Sequence, residues 1–422
     1  ELWGGLIDHE GPAFPFLAFQ CVQEESVIRV EDGQPHVARM ASFHTDTKSA
    51  DPRLSLLPRP DGTYVVTGGL GDLGLETLEF LAKKGARRIV VVSRRLLSPQ
   101  QDKPALSGPL ARIQQLRSTG VKIHVLKLDI SEQGASARLT RELERLSFVP
   151  VSGVVHAAAV PGFGHIRRTP SGSYASVMAP KVAGALALHE AFPPGTLDFF
   201  VFFSSISGIV GTPGHAAYAA SNTFLDGLAA YRRSQGCNSI AMLWTAWRGL
   251  GLASNTAVVD SELQAAGMGD ITAAEAFDAW ERLSGSNTEH AVVTRLERSD
   301  ANGSVPIDLV REVAATKPSS RSVSEIDRLT GSELKARVAV AIRKHLSIVL
   351  GIGHGNIDDK AELTEIGVDS SMSIRLCQML PKELPKELLI STPVLRRLLW
   401  DCQTVADLIS GLCTAIDKIP CS

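Results

Sequence analysis

A tyrosine, a serine and an amide carry the clearest chemical signal in this sequence. The apolar run Phe199–Phe203 leads into Ser204-Ser205, and Tyr218 follows thirteen residues after Ser205. Asn222 lies four residues beyond Tyr218, so a helix presents both on one face. Reducing a carbonyl requires a hydride on carbon and a proton on oxygen. A phenol can deliver that proton, but with an ordinary pKa of about 10 it is a poor acid. A nearby ammonium stabilises the phenolate and lowers that value. Taken singly, a tyrosine on an alanine-rich helix packs and a serine after a strand turns the chain.

The hydride source is suggested upstream. Tyr64-Val65-Val66-Thr67-Gly68-Gly69-Leu70-Gly71-Asp72-Leu73-Gly74 runs from a strand into a helix. The glycines allow a tight turn and a close approach of backbone N–H groups to a pyrophosphate, and the helix N-terminus adds partial positive charge. The following strand ends in Ser93-Arg94-Arg95. A site for NAD usually places a carboxylate there to accept from the ribose 2′-OH; a hydroxyl and two guanidiniums suit a 2′-phosphate, which favours NADPH. Asp129, with Ile130 after it, stands where a side chain either accepts from the adenine amino group or caps the next helix.

These residues need a frame. Strand-like runs at Tyr64–Thr67, Arg88–Val92, Ile123–Leu128, Gly153–Val155, Phe199–Phe203, Ser239–Trp244 and Ala291–Thr294 alternate with helical segments such as Gly74–Lys84 and Tyr174–Ala191. That alternation predicts a doubly wound parallel sheet of the Rossmann, short-chain dehydrogenase-like kind, over residues 61–297. Residues 1–60 read as an incomplete unit with short strands at Leu2–Asp8 and Ser26–Val30, closed by Pro52, Pro58 and Pro60. Residues 298–327 read as a polar linker. Residues 328–422 read as a small all-α bundle, with one helix over Gly331–Leu350 and others after Ser370 and Thr404.

Composition closes off several classes. The net charge of −2 over 422 residues gives no electrostatic case for nucleic acid or an anionic membrane, and no apolar run reaches transmembrane length. Six scattered cysteines without a C-x-x-C pair read as free thiols in a reducing, cytoplasmic setting rather than a metal site or disulfide frame. Neither H-E-x-x-H nor a P-loop is present. The chain begins at Glu1 without a basic-then-apolar leader and reads as a piece of something longer.

Together these residues resemble the ketoreductase domain of polyketide synthases, followed by an acyl-carrier domain. In ordinary short-chain dehydrogenases a lysine stands four residues after the tyrosine; in polyketide ketoreductases the Lys and Asn positions are exchanged. Lys181, in Met178-Ala179-Pro180-Lys181-Val182, stands at the matching place two dozen residues before Ser205. The resemblance implies that Ser205 holds the substrate carbonyl and Tyr218 protonates the developing alkoxide. It implies that Lys181 lowers the tyrosine pKa and holds the ribose, while Asn222 orders a water for proton relay. His156-Ala157-Ala158 matches the segment that closes over the cofactor. Leu2–Asp8 resembles the end of the structural subdomain whose remainder would lie upstream. Trp244–Gly251, ending Arg248-Gly249-Leu250-Gly251, resembles fungal synthases of the 6-methylsalicylic acid type, hence a type I iterative system. Neither stereochemical marker is present: Val160–Gly164 stands in place of a Leu-Asp-Asp segment, and Val210 in place of a tryptophan.

The stretch Leu363–Leu376 contains Gly367-Val368-Asp369-Ser370 and resembles the carrier motif whose serine bears 4′-phosphopantetheine. By itself an Asp-Ser pair is also a common helix cap. Ser371 departs from the large apolar residue usual after the modified serine. The resemblance implies NADPH-dependent reduction of a β-ketoacyl thioester held on the Ser370 arm. It implies as partners a phosphopantetheinyl transferase and the ketosynthase and acyltransferase domains of the same synthase. The competing readings are an epimerase-like Rossmann module and a non-reducing scaffold with a working carrier shuttle.

Overall fold

The computed structural model describes residues 6–9, 27–44, 51–95, 108–162, 164, 169–211, 214–251, 263, 267–296, 308–310, 313, 338–346, 358–363, 368, 376, 398–399 and 401–417. The chain divides into two compact units, Glu1–Lys317 and Pro318–Ser422.

In the first unit a small sheet joins β1 (Leu6–His9), β2 (Val27–Glu31) and β3 (Gln34–Val37), with β1 parallel and β3 antiparallel to β2. The β2–β3 hairpin turns on Asp32-Gly33, whose φ values of 50° and 73° suit a tight two-residue turn. β3 was not expected. Gln34-Pro35-His36-Val37 is exposed throughout and lacks apolar alternation, so only the Asp-Gly pair signals it.

The main sheet contains β4 (Thr63–Thr67), β5 (Arg88–Ser93), β6 (Lys122–Lys127), β7 (Gly153–His156), β8 (Phe199–Ser205), β9 (Ser239–Trp244) and, beyond the short β10 (Met268–Gly269), β11 (His290–Val293). Its seven strands run in the order β11-β9-β8-β7-β4-β5-β6, all parallel. Each expected strand is present within two residues of its expected bounds. The chain winds outward from β4 through β5 to β6, then restarts on the other side with β7. The crevice of such a sheet opens where the winding reverses, at the carboxyl ends of β4 and β7. β10 pairs antiparallel with β12 (Arg295–Leu296) beside the sheet.

Alternate residues on the buried strands feed two cores. Tyr64, Val66 and Val91 face α1 (Asp72–Lys83) and α2 (Pro109–Ser118), in a core that also takes Trp280 of a later helix. Val65, Val90 and Phe202 face α3 (Ala135–Arg145) and α4 (Ser171–Ala191), in a core that also takes Leu225 of another later helix. After the short α5 (Ser207–Val210) come α6 (Ala216–Ser234), which supplies Leu225, and α7 (Ala273–Leu283), which supplies Trp280. Trp280 is fully buried and donates through Nε1 to Leu56 O at 3.0 Å, tying the segment before β4 to α7.

The second unit is helical where described. A helical segment over 338–346 and α8 (Val405–Asp417) close a core of Val338, Ile342, Leu346, Leu363, Leu408 and Leu412. Thr404 caps α8: its Oγ1 accepts from Asp407 N at 3.1 Å, and Asp407 returns an acceptor to Thr404 N at 3.0 Å. The expected helix at Gly331–Leu350 is seen over its described part. Ser370 and Asp369 lie outside the described residues. Among the described residues no helix is long and apolar enough to cross a membrane, and no group of side chains could hold a metal ion.

Candidate active site

The crevice is floored by the glycine loop after β4. Gly68 has φ of +69°, and a Cβ there would sit 2.7 Å from the Ala157 carbonyl oxygen, so no larger residue fits between the ends of β4 and β7. Gly74 is as confined, because a Cβ would drive into Gly68 O and lift α1 off the loop. Gly69 rests on Val91, and Gly71 is the N-cap of α1 and provides no side-chain hydrogen bond to the first turn. The loop is therefore a backbone cradle at an uncapped helix N-terminus, which fits a phosphate group. Two of its side chains also brace a neighbouring segment. The Asp72 carboxylate accepts from Gly251 N at 3.1 Å, and Leu73 packs against Gly251, so both hold the segment after β9.

At the end of β5, Ser93 Oγ accepts from Arg95 N at 3.2 Å, and Arg95 Nη2 donates to Leu70 O at 3.4 Å. Arg94 and Arg95 thus stand exposed beside the glycine loop. Of its two expected roles, Asp129 does not take that of cap to the next helix. Its Oδ1 accepts from Ser131 N at 3.0 Å and Ser131 Oγ at 2.6 Å, turning the chain locally, while α3 is capped at Gly134. Burial pushes the Asp129 carboxyl up, but the Ser131 bonds and the Arg94 guanidinium outweigh it and leave the pKa lowered. Ile130 is buried, packed towards Gly184 of α4.

His156 ends β7 and ties the crevice to α4. Nε2 lies 3.3 Å from Lys181 O, and Nδ1 lies 2.7 Å from Thr67 Oγ1. Because a carbonyl only accepts, Nε2 carries the proton and Nδ1 accepts from the threonine hydroxyl. Burial, then the nearby Lys181 amine, pull its pKa to about 3. Ala157 continues the frame by donating its N–H to Thr67 O at 3.2 Å, and Ala158 packs against Gly68.

Lys181 falls on the inner stripe of α4, in step with buried Val177, Ala185 and Leu188. A lysine at that phase of an apolar stripe is a sequence signal for a buried amine. It is 3% exposed; Nζ donates to Phe203 O at 2.6 Å and stands 5.5 Å from the centroid of the Tyr218 ring. Burial pulls its pKa to about 7, against the opposing field of Asp226. Tyr218 and Ser205 are half-buried, and Ser205 Oγ accepts from Ser207 N at 3.2 Å. Asn222 is fully buried and donates through Nδ2 to its own helix, at Tyr218 O, 2.8 Å away. Its Oδ1 has no partner within the protein.

Lys181, Ser205, Tyr218 and Asn222 therefore converge on one side of the sheet, beside the crevice. One expectation is corrected. The Tyr218 phenol is not depressed: burial pushes its pKa up, and the Asn222 and Ser205 side chains oppose this only in part. Sequence reasoning missed Asp226, which lies four residues after Asn222 on the same face of α6 and was visible from that spacing.

Fold and glycine loop define the class, a nucleotide-binding α/β oxidoreductase. Residues 62–249 match the KR domain family, and residues 340–412 match the phosphopantetheine attachment site family. The chain is 45% identical over 425 residues to mellein synthase of Phaeosphaeria nodorum, covering 97% of this chain and 24% of that protein. It is 40% identical over 431 residues to 6-methylsalicylic acid synthase of Penicillium expansum, covering 98% and 24%. Among solved structures, the ketoreductase from the first module of phoslactomycin biosynthesis in a Streptomyces superposes with a TM-score of 0.58 at 32% identity, over 70% of this chain and 66% of that one. The chain belongs to the polyketide synthases, of which it carries a ketoreductase domain and a phosphopantetheine attachment site. It spans about a quarter of the length of these relatives.

Proposed function

We propose that the chain reduces a β-ketoacyl thioester to the β-hydroxyacyl thioester, with NADPH as reductant and with the substrate tethered to Ser370 through 4′-phosphopantetheine. The observation that carries this reading is the Lys181 amine 5.5 Å over the Tyr218 ring, beside a glycine cradle at the reversal of the sheet. The backbone of the Thr67–Gly74 loop, whose Gly68 and Gly71 N–H groups are taken by Val92 O and Gly68 O, would hold the pyrophosphate through its remaining N–H groups, and Arg94 and Arg95 would pair with the 2′-phosphate. When bound, NADPH would supply the hydride that the β-carbon accepts. Ser205 Oγ donates to the carbonyl oxygen and orients it. Tyr218 then gives its phenolic proton to that oxygen as charge develops, which completes the alcohol. The Lys181 ammonium stabilises the phenolate left behind, and Asn222 Oδ1, with its acceptor capacity unused, orders the water that returns a proton. Ketosynthase and acyltransferase domains of the same synthase supply the thioester, and a phosphopantetheinyl transferase loads Ser370. A reducing cytoplasm suits the thiols of Cys237 and Cys402, neither of which forms a disulfide.

The test is NADPH oxidation by the full chain with a β-ketoacyl N-acetylcysteamine thioester, paired with intact-mass analysis after phosphopantetheinyl transfer. Turnover of the free thioester is expected with or without Ser370→Ala, and a mass gain is expected that Ser370→Ala alone abolishes. Nucleotide binding without turnover would leave only the carrier in use. Arg94→Ala and Arg95→Ala should each raise the KM for NADPH about ten- to hundredfold and change that for NADH little, because only the former carries the 2′-phosphate. Equal effects on both nucleotides would move the phosphate contact elsewhere.

A further inference from the structure

We infer that Asp226 is the positioning residue for Lys181, holding the buried amine as an ammonium under the Tyr218 ring. This rests on the reductase reading above. Tyr218, Asn222 and Asp226 follow at intervals of four, so α6 presents all three along one face, and α6 packs against α4, which carries Lys181. Lys181 is buried with a neutral carbonyl, Phe203 O, as its hydrogen-bond partner, and a neutral acceptor does little to keep a desolvated amine charged. Asp226 Oδ1 is likewise buried and has no hydrogen-bond partner within the protein, which leaves a carboxylate in need of a counter-charge. The two groups feel each other: Lys181 is raised by Asp226, and Asp226 is lowered by Lys181, in both cases against the burial that dominates.

The other groups facing Asp226 are few. From β8 Ser204, whose Oγ also donates to Asn222 O at 3.3 Å, supports its carboxylate, and from β11 His290 adds a field that ranks ahead of that of Lys181. The neighbouring β9 (Ser-Ile-Ala-Met-Leu-Trp) and α5 (Ser-Gly-Ile-Val) carry no titratable side chain. The Asp226 carboxylate is thus the anion that sets how long Lys181 stays protonated as pH rises.

Asp226→Asn keeps the volume and removes the charge. With the full chain, NADPH and the N-acetylcysteamine thioester, the alkaline limb of the kcat profile should move about one pH unit lower. Well below that limb, kcat and the KM for NADPH should approach native values. Asp226→Glu should restore the limb most of the way. A profile scaled down evenly, or unchanged, overturns the inference, since a purely structural role does not move a limb. If Asp226→Asn fails to fold, Ser204→Ala carries the test: losing the hydroxyl weakens the carboxylate and should give a smaller shift in the same direction, and no shift overturns the inference. A native chain that consumes no NADPH sinks the reductase reading; a native chain that turns over while the variants keep its limb sinks only the role of Asp226.

Discussion

Tyr218→Phe is expected to lower kcat by about 10²- to 10⁴-fold while nucleotide affinity stays within about twofold of native. The substitution removes one hydroxyl. The phenyl ring stays below Lys181, so the cation–ring contact at 5.5 Å persists and α6 keeps its packing on β8. The loss of rate then reports the missing proton donor rather than a rearranged pocket. Because burial holds the phenol above its ordinary pKa, the native enzyme keeps this proton through neutral pH, and its alkaline loss of activity should trace to Lys181 rather than to the tyrosine. Steady-state NADPH oxidation and a fluorescence titration of NADPH separate the two quantities. A variant within tenfold of native kcat would remove Tyr218 from the chemistry.

Lys181→Met is expected to act in opposite directions on activity and stability. Turnover should fall about 10²-fold or more, as the charge facing the developing phenolate is lost. The fold should become more stable by roughly 2 to 4 kcal/mol at neutral pH. Lysine ordinarily titrates at 10.5 and is held here at about 7, so the folded state resists protonating this group and the unfolded chain does not. The destabilisation is complete below about pH 7 and fades as pH rises towards 10.5, where the unfolded chain also gives up the proton. The melting-temperature gap between variant and native chain should therefore be widest in mild acid and close in alkali. Calorimetry at about pH 6 and about pH 9 reads this difference. A variant less stable than native at both would mean that the methylene packing of Lys181 outweighs the cost of its charge.

Much of the frame was legible because buried parallel strands are short continuous apolar runs, and those runs are unmistakable at Tyr64–Thr67, Phe199–Phe203 and Ser239–Trp244. The glycine loop was legible for a related reason: Gly68 and Gly74 sit where no Cβ fits, and such positions leave a mark in sequence. What escaped depends on which of several near partners a polar group chooses. The Asp72 carboxylate bonds to Gly251 N, 179 residues away, a partner no local pattern shows. Asp129 turned to its neighbour Ser131, and Asn222 folded its amide back on its own helix. The direction of the Tyr218 pKa was misjudged because a sequence shows that a lysine is near but not how dry its surroundings are. β3 was hidden because a fully exposed strand has no apolar phase to read.

The imidazole of His156 adds one last consequence. Clamped between a threonine hydroxyl and the α4 backbone, it has so little taste for a second proton that it stays uncharged down to about pH 3. The hinge pin on which the amine is mounted is therefore deaf to acidity, while the amine itself listens closely near neutrality. Acidifying the surroundings should retune the charge over the phenol without slackening the joint between sheet and helix, so activity can rise and fall with pH on an unmoving scaffold.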